Sequence, residues 1–106
     1  MLNTQEFVEE YFAATTDHDL ERYLALFSDD VVVHDDGKTH EGLAAVRTWR
    51  REVPSVRCDV GQITGTAAAL QVTAEVSGDF PGSPVTLRFA FERDAQGKII
   101  LLDIAP

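Results

Sequence analysis

Residues 26–35 read LFSDDVVVHD, and this stretch divides the chain into two kinds of pattern. Ser28, Asp29 and Asp30 are typical of a helix end, and the β-branched residues that follow predict a strand over residues 31–35. Before this stretch the apolar residues recur at helical spacing, whereas beyond Pro54 they mostly alternate with polar ones. The sequence therefore predicts an α+β fold in which helices cover a mainly antiparallel sheet.

Three helices are indicated by apolar residues at i, i+3, i+4 and i+7, over residues 4–15, 20–27 and 43–52. Asn3 and Glu6 have the spacing of a capping box, and Asp19 is a good N-cap for the second helix. Pro54 ends the third helix, because the residue before a proline is disfavoured in the helical region. The first helix is expected to bury Phe7, Val8, Tyr11, Phe12 and Ala14.

Strands are predicted over residues 31–35, 55–63, 68–76, 85–92 and 99–104. Between the first strand and the third helix, Asp36, Gly37 and Lys38 indicate a turn. The alternation in the strands means that one face of the sheet is buried and the other is wetter. The last strand is apolar on both faces except at Asp103, so its outer face is expected to be covered, for example by a second subunit.

A chain of 106 residues predicts a single domain, residues 1–106. The formal net charge of −9 opposes binding to nucleic acids and to anionic membranes. Four arginines, Arg47, Arg50, Arg51 and Arg57, form the densest basic group, and we interpret them as part of a solvated helix face.

Cys58 is the single cysteine, so no internal disulfide can form and no oxidising compartment is indicated. The first ten residues have neither the basic region nor the apolar region of a signal peptide. No apolar run approaches the roughly 20 residues needed to span a membrane. We therefore expect a cytoplasmic protein.

Several segments together resemble the SnoaL-like and ketosteroid-isomerase-like branch of the nuclear transport factor two superfamily. They are residues 10–14, 18–20, 26–35, 41–47 and 97–100. The resemblance implies a cone-like fold, with three N-terminal helices on a curved sheet that encloses an apolar pocket. It also implies a homodimer formed through the sheet. It does not fix the function, because the superfamily includes isomerases, polyketide cyclases, epoxide hydrolases and non-enzymatic domains.

Asp35 is the first candidate catalytic residue. It shares one face of its strand with Val31 and Val33, so it faces the core if these valines do. A carboxylate held among apolar side chains next to a cleft suits a general base. The resemblance implies the same role, because an Asp at the end of this strand moves the proton in ketosteroid-isomerase-like enzymes. The alternative is that the strand frays and Asp35 begins the following turn in solvent.

Tyr11 is the second candidate, on the buried stripe of the first helix. The resemblance implies that its phenol donates a hydrogen bond to an oxyanion formed on the substrate. The alternative is a core tyrosine whose hydroxyl reaches a backbone carbonyl. The isomerases carry a second carboxylic acid at the position that Leu87 occupies here. Loss of one oxyanion donor costs roughly 10²–10³-fold in rate, so steroid isomerisation itself is not expected.

The pocket is expected to bind its ligand through apolar side chains. The predicted substrate-binding residues are Phe12, Phe27, Val33, Trp49, Leu87 and Phe89. His34, Asp35, Asp36 and His40 do not have the spacing of a closed zinc site, and strand alternation divides them between two faces. Cys58 is interpreted as a small core residue. Neither a metal nor a cofactor is expected.

Three functions stay open on the sequence. In the first, Asp35 transfers a proton on a small apolar carbonyl compound and Tyr11 stabilises the oxyanion, as in an isomerase or a polyketide cyclase. In the second, the pocket binds or carries an apolar ligand without catalysis. In the third, aromatic side chains fill the pocket and the domain serves in assembly.

Overall fold

The computed structural model describes residues 3–106, in which three helices cover one face of a six-stranded sheet. The helices are α1 (Thr4–Asp17), α2 (Leu20–Leu24) and α3 (Leu43–Glu52). The strands are β1 (Phe27–Asp35), β2 (Lys38–Glu41), β3 (Val56–Gly65), β4 (Ala69–Gly78), β5 (Val85–Arg93) and β6 (Ile99–Ala105). Their order is β2-β1-β6-β5-β4-β3, with β1 and β6 parallel and all other neighbours antiparallel. The predicted α+β class and the curved, mainly antiparallel sheet are confirmed.

Helix α1 follows its sequence pattern closely. The Asn3 side chain accepts a hydrogen bond from the Glu6 amide at 2.8 Å, and the Glu6 side chain accepts one from the Asn3 amide at 3.2 Å. This capping box satisfies free N–H groups of the first turn. The helix ends where His18 adopts a left-handed conformation. All members of its predicted apolar stripe are buried.

Helix α2 is shorter than predicted, because residues 25–27 leave the helix. Phe27 is the first residue of β1, where it pairs with Ile99 of β6. The Ile99 amide donates a hydrogen bond to the Leu26 carbonyl at 2.9 Å, which fixes the extended course. The Phe27 ring lies 4.9 Å from that of Tyr23, so the side chain is buried as its spacing indicated. The spacing identified a buried position correctly, but pairing with β6 overrides the helical pattern there.

Strand β2 is absent from the sequence prediction. It pairs antiparallel with the end of β1, from Asp35 opposite Lys38 to Val32 opposite Glu41. Asp36 and Gly37 connect the two strands with φ values of 54° and 73°, as a two-residue hairpin turn requires. The turn was recognised in the sequence, but the polar β2 at the sheet edge has no apolar alternation that would mark it as a strand.

The core lies between the helices and the inner face of the sheet. Strand β4 directs four alternate residues into it, as predicted: Leu70, Val72, Ala74 and Val76. From β5, Phe89 and Phe91 pack against α1, with Phe91 edge-on to Phe7 at 5.2 Å and Phe89 edge-on to Phe12 at 5.1 Å. Within residues 3–106, no helix is both long and apolar enough to cross a membrane.

Candidate functional site

A cavity of about 180 Å³ lies between the helices and one end of the inner sheet face. Most of its wall is apolar, and its polar side chains come from α1, β1 and α3. The residues that line it are Tyr11, Thr15, Asp35, Trp49, Arg50, Val53, Pro54, Val56, Cys58, Val76, Phe80, Val85, Leu87, Phe89 and Ile104.

Asp35 reaches the cavity from the last position of β1. Val31 and Val33 have no exposed surface, so the alternation of the strand turns Asp35 to the same inner side. The end of β1 does not fray, because Asp35 is paired with Lys38 of β2 on one side and with Ile104 of β6 on the other. The side chain is half-buried and lines the cavity.

Trp49 holds the Asp35 carboxylate in place. Its indole Nε1 donates a hydrogen bond to Asp35 Oδ2 at 3.1 Å, from α3 across to β1. The His40 ring stacks on a face of the indole, at 5.5 Å between centroids. In the part of the chain that the structure describes, no hydrogen bond is made to Asp35 Oδ1. One carboxylate oxygen is thus anchored and the other is free to accept a proton.

Tyr11 belongs to a pair of buried phenols. Its hydroxyl lies 2.8 Å from that of Tyr23, and each residue is only 1% exposed. Burial is the main cause that raises the pKa of Tyr11 well above its usual value, and burial also raises the pKa of Tyr23 to about 12. Both phenols are therefore neutral near pH 7 and can donate hydrogen bonds. The hydroxyl partner of Tyr11 is thus another side chain and not the backbone carbonyl of the alternative interpretation.

Arg50 corrects the interpretation of the arginines as a solvated face. Its residue is 5% exposed and lines the cavity, whereas Arg51 is exposed. Its guanidinium carbon lies 4.5 Å from the centre of the Tyr23 ring, and Nη2 donates to the Thr15 carbonyl at 3.3 Å. The sequence contained a signal for this position, because Arg50 lies four residues after Val46 on the buried side of α3.

The remaining predicted site residues fall into two groups. Trp49, Leu87 and Phe89 line the cavity. Three others are buried in the packed core and do not reach the cavity wall: Phe12, Phe27 and Val33. Periodicity identifies inward-facing residues, but it does not say which of them border an unfilled space.

Several lining residues could not be identified from the sequence as part of a site. Val53 and Pro54 lie just beyond α3, and Phe80 lies in the loop after β4, so their position depends on how the loops fold. Cys58 also lines the cavity, and burial raises its pKa to about 11. Its thiol is therefore protonated near pH 7, which does not favour a nucleophilic role.

The two histidines near Asp35 contact other side chains of the protein, His34 within the β1–β2 hairpin and His40 against α3. His34 is exposed, and its Nδ1 lies 3.0 Å from the Thr39 hydroxyl. His40 stacks on Trp49. Within residues 3–106, no three His, Cys, Asp or Glu side chains are grouped in a way that could hold a metal ion.

Comparison with known proteins identifies relatives along almost the whole chain. A family model described as a SnoaL-like domain matches residues 8–101. A solved structure from Sinorhizobium meliloti, described as a candidate polyketide cyclase, is 35% identical over 92% of this chain and 92% of that chain, with a TM-score of 0.84. No curated protein matches the sequence.

Two further solved structures share the fold at lower identity. A delta 5-3-ketosteroid isomerase from a Mycobacterium species is 20% identical over 94% of this chain and 89% of that chain, with a TM-score of 0.80. A protein from Catenulispora acidiphila with a ketosteroid isomerase-like fold, in complex with trimethylamine, is 16% identical over 99% of this chain and 87% of that chain, with a TM-score of 0.81. At these identities the similarity concerns the fold alone.

Proposed function

Because the chain belongs to the family of SnoaL-like domains, we propose that it catalyses cofactor-independent proton transfer on a small carbonyl compound. The observation that carries the proposal is the position of Asp35 at the apolar cavity. Among the described residues that line the cavity, Asp35 supplies the one carboxylate, and its Oδ1 is available to a ligand. A fixed carboxylate next to a bound carbon acid is the arrangement that general-base catalysis requires.

In the proposed step, Asp35 Oδ1 removes a proton from the carbon next to the substrate carbonyl. The electron pair of the broken C–H bond forms a C=C bond, and the carbonyl oxygen becomes an enolate oxygen. Protonated Asp35 then returns the proton to another carbon of the conjugated system, as in an isomerase. In a cyclase, the enolate carbon instead attacks a second carbonyl, whose C=O π bond breaks, and protonated Asp35 gives its proton to the alkoxide oxygen that forms. The hydrogen bond from Trp49 keeps the carboxylate in one orientation through both steps.

Tyr11 supports the proposal as the donor for the enolate oxygen. When Tyr23 donates its hydroxyl proton to Tyr11, the Tyr11 O–H is left to donate into the cavity. Hydrogen bonds in such a chain polarise one another, so the pair is a stronger donor than one phenol. The raised pKa of both phenols keeps these protons in place over the working pH range.

The cavity volume limits the size of the substrate. An engineered apolar cavity of about 150 Å³ binds benzene, so a space of about 180 Å³ matches one ring with small substituents. A four-ring steroid exceeds this volume and would be enclosed only in part. Leu87, in place of a second acidic donor, also disfavours steroid isomerisation. The substrate we propose is therefore a one-ring or short-chain ketone.

The test is the isomerisation of 3-cyclohexen-1-one to its conjugated isomer, followed by ultraviolet absorption. Asp35→Asn keeps the size of the side chain and removes the base, so we expect a rate about 10²–10⁴-fold lower than that of the wild type. Asp103→Asn is the matched control, because Asp103 is an exposed aspartate of β6 that does not line the cavity. Equal rates for Asp35→Asn and the wild type would reject the catalytic role.

A second candidate function, the binding of an apolar ligand without catalysis, is favoured by Leu87 and by the apolar wall. This function predicts that cyclohexanone binds equally well to the wild type and to Asp35→Asn, with no turnover by either protein. An assembly domain with a filled core is less compatible with a cavity that can hold a ring.

A further inference from the structure

We infer that Arg50 selects ligands that carry a carboxylate, so that the occupant of the cavity is a small organic acid. The inference deepens the proposed function by naming the substrate class, and in this respect it rests on that function. It follows from the surroundings of one buried guanidinium.

Among residues 3–106, Arg50 forms no ion pair, although Asp35 lines the same cavity. In the described chain, the ion pairs involve Arg22 and Arg47 on the surface, and no carboxylate forms an ion pair with Arg50. Arginine is rarely this deeply buried without such a partner, because removing a charge from water is costly. A ligand carboxylate would supply the missing partner.

The protein offsets only part of this cost. The Tyr23 ring lies under the guanidinium, and the Thr15 carbonyl near the end of α1 accepts one hydrogen bond. Arginine has five N–H donors, and Thr15 is the one hydrogen-bond partner that Arg50 has among residues 3–106. The other donors belong to a side chain that lines the cavity, where a ligand can reach them.

A carboxylate is the group that fits such a site best. The planar guanidinium binds a carboxylate through two parallel N–H···O bonds, and such charged pairs are stronger than neutral hydrogen bonds. Asp35 carries a negative charge in the same cavity, so repulsion would turn the ligand carboxylate towards Arg50. The uncharged, reactive end of the ligand would then face Asp35.

The experiment compares two ligands of the same shape, cyclohexanecarboxylate and cyclohexanecarboxamide. Trp49 is the single tryptophan of the chain and lines the cavity, so its fluorescence reports binding directly. We expect the wild type to bind the carboxylate at least about tenfold more tightly than the amide. Arg50→Met should remove this preference, and Arg50→Lys should keep a reduced one, because lysine retains the charge without the planar fork.

Arg47→Met is the matched control, since Arg47 lies on the same helix but pairs with Glu21 on the surface. It should keep the full preference for the carboxylate. Far-ultraviolet circular dichroism of each variant checks that it is folded. If Arg50→Met does not fold, the comparison of the two ligands on the wild type and on Arg50→Lys still decides the matter. Equal binding of both ligands by the wild type, or an unchanged preference in Arg50→Met or Arg50→Lys, would overturn the inference.

The binding assay does not depend on the proton-transfer proposal, because neither ligand is a ketone and no turnover is measured. The assay of Asp35→Asn uses an uncharged ketone, which does not need Arg50. The two proposals can therefore fail independently. Absence of a carboxylate preference would reject the role of Arg50, and equal rates for the wild type and Asp35→Asn would reject the role of Asp35.

Discussion

Two arginines are almost equally buried in this molecule, but their surroundings differ. Arg50 is 5% exposed and Arg93 is 6% exposed, and each guanidinium lies over an aromatic ring, 4.5 Å from that of Tyr23 and 4.2 Å from that of Phe7. Burial and aromatic contact therefore do not distinguish their roles. The distinction lies in what their N–H donors face.

Arg93 uses its donors within the protein. Its Nε donates to the Gly97 carbonyl at 3.0 Å, and its Nη1 donates to the Ala67 carbonyl at 3.1 Å. These bonds join the β3–β4 loop to the β5–β6 loop, so Arg93 stabilises the fold. Arg50 has one hydrogen bond to the backbone and borders an open cavity. The comparison indicates that a buried arginine whose N–H donors lack protein acceptors can bind a ligand. A buried arginine whose donors bond to the backbone stabilises the fold.

The largest effect that tests this comparison is on stability. Arg93→Met removes two charge-assisted hydrogen bonds from a buried guanidinium to backbone carbonyls, so we expect the free energy of unfolding to fall by about 2–4 kcal/mol. Arg50→Met removes an unpaired charge and leaves apolar volume behind, so we expect a loss below about 1 kcal/mol or a small gain. Urea denaturation followed by circular dichroism measures both. A larger loss for Arg50→Met than for Arg93→Met would mean that Arg50 is the structural arginine.

The aromatic partners of the two arginines also differ in their response to pH. Phe7 has no ionisable group, whereas Tyr23 beside Arg50 has a pKa that burial raises from 10.0 to about 12. A phenol with a raised folded-state pKa contributes its full stability below the unfolded pKa, and this stability is lost as the pH rises above 10. From Tyr23 we expect a loss of about 1 kcal/mol at pH 11. Tyr23→Phe should remove this part of the pH dependence.

Cys58 and Tyr11 should also lower the stability of the fold at high pH, because burial raises their pKa values too. The decline in stability should therefore begin near pH 9, where an unfolded thiol ionises. The chain has two tyrosines, both at this site, so their ionisation can be followed selectively at 295 nm. We expect no phenolate in the folded protein at pH 10. Normal titration of both phenols with a midpoint of 10 would contradict their burial.

The smallest effect is expected for a third arginine. Arg47 pairs with Glu21 on the surface, and the Glu21 side chain is 75% exposed. Exposed ion pairs contribute little because water and salt screen them. Arg47→Met should leave the midpoint of urea denaturation unchanged within error. A large shift of the midpoint would show that an exposed arginine can contribute as much to stability as a buried one, which would contradict the comparison.

Much of the fold follows from local sequence patterns. Helix α3 has the predicted bounds, and α1 begins at the predicted residue because its capping box and apolar stripe agree. Strand β4 shows its buried residues by simple alternation. The sequence did not predict that Phe27 belongs to β1 or that β2 is a strand, because both depend on long-range strand pairing. The helical spacing of Phe27 and the polar sequence of β2 give no sign of that pairing.

The candidate site could be predicted only in part. Alternation with Val31 and Val33 placed Asp35 on the inner side, and helical periodicity placed Tyr11 there. The partnership of Tyr11 with Tyr23 joins two helices, so no local pattern reveals it. Arg50 was predicted to be exposed because it is charged, although its helical position lies on the buried side of α3.

The most direct test of the central claim is the exchange of hydrogen for deuterium next to the carbonyl of cyclohexanone in D₂O, followed by proton NMR. If Asp35 is the base in the cavity, the wild type should accelerate exchange over buffer, and Asp35→Asn should reduce the acceleration by about 10²–10⁴-fold. Asp103→Asn should exchange at the wild-type rate. Equal acceleration by the wild type and Asp35→Asn, or none by the wild type despite binding of the ketone, would contradict the account.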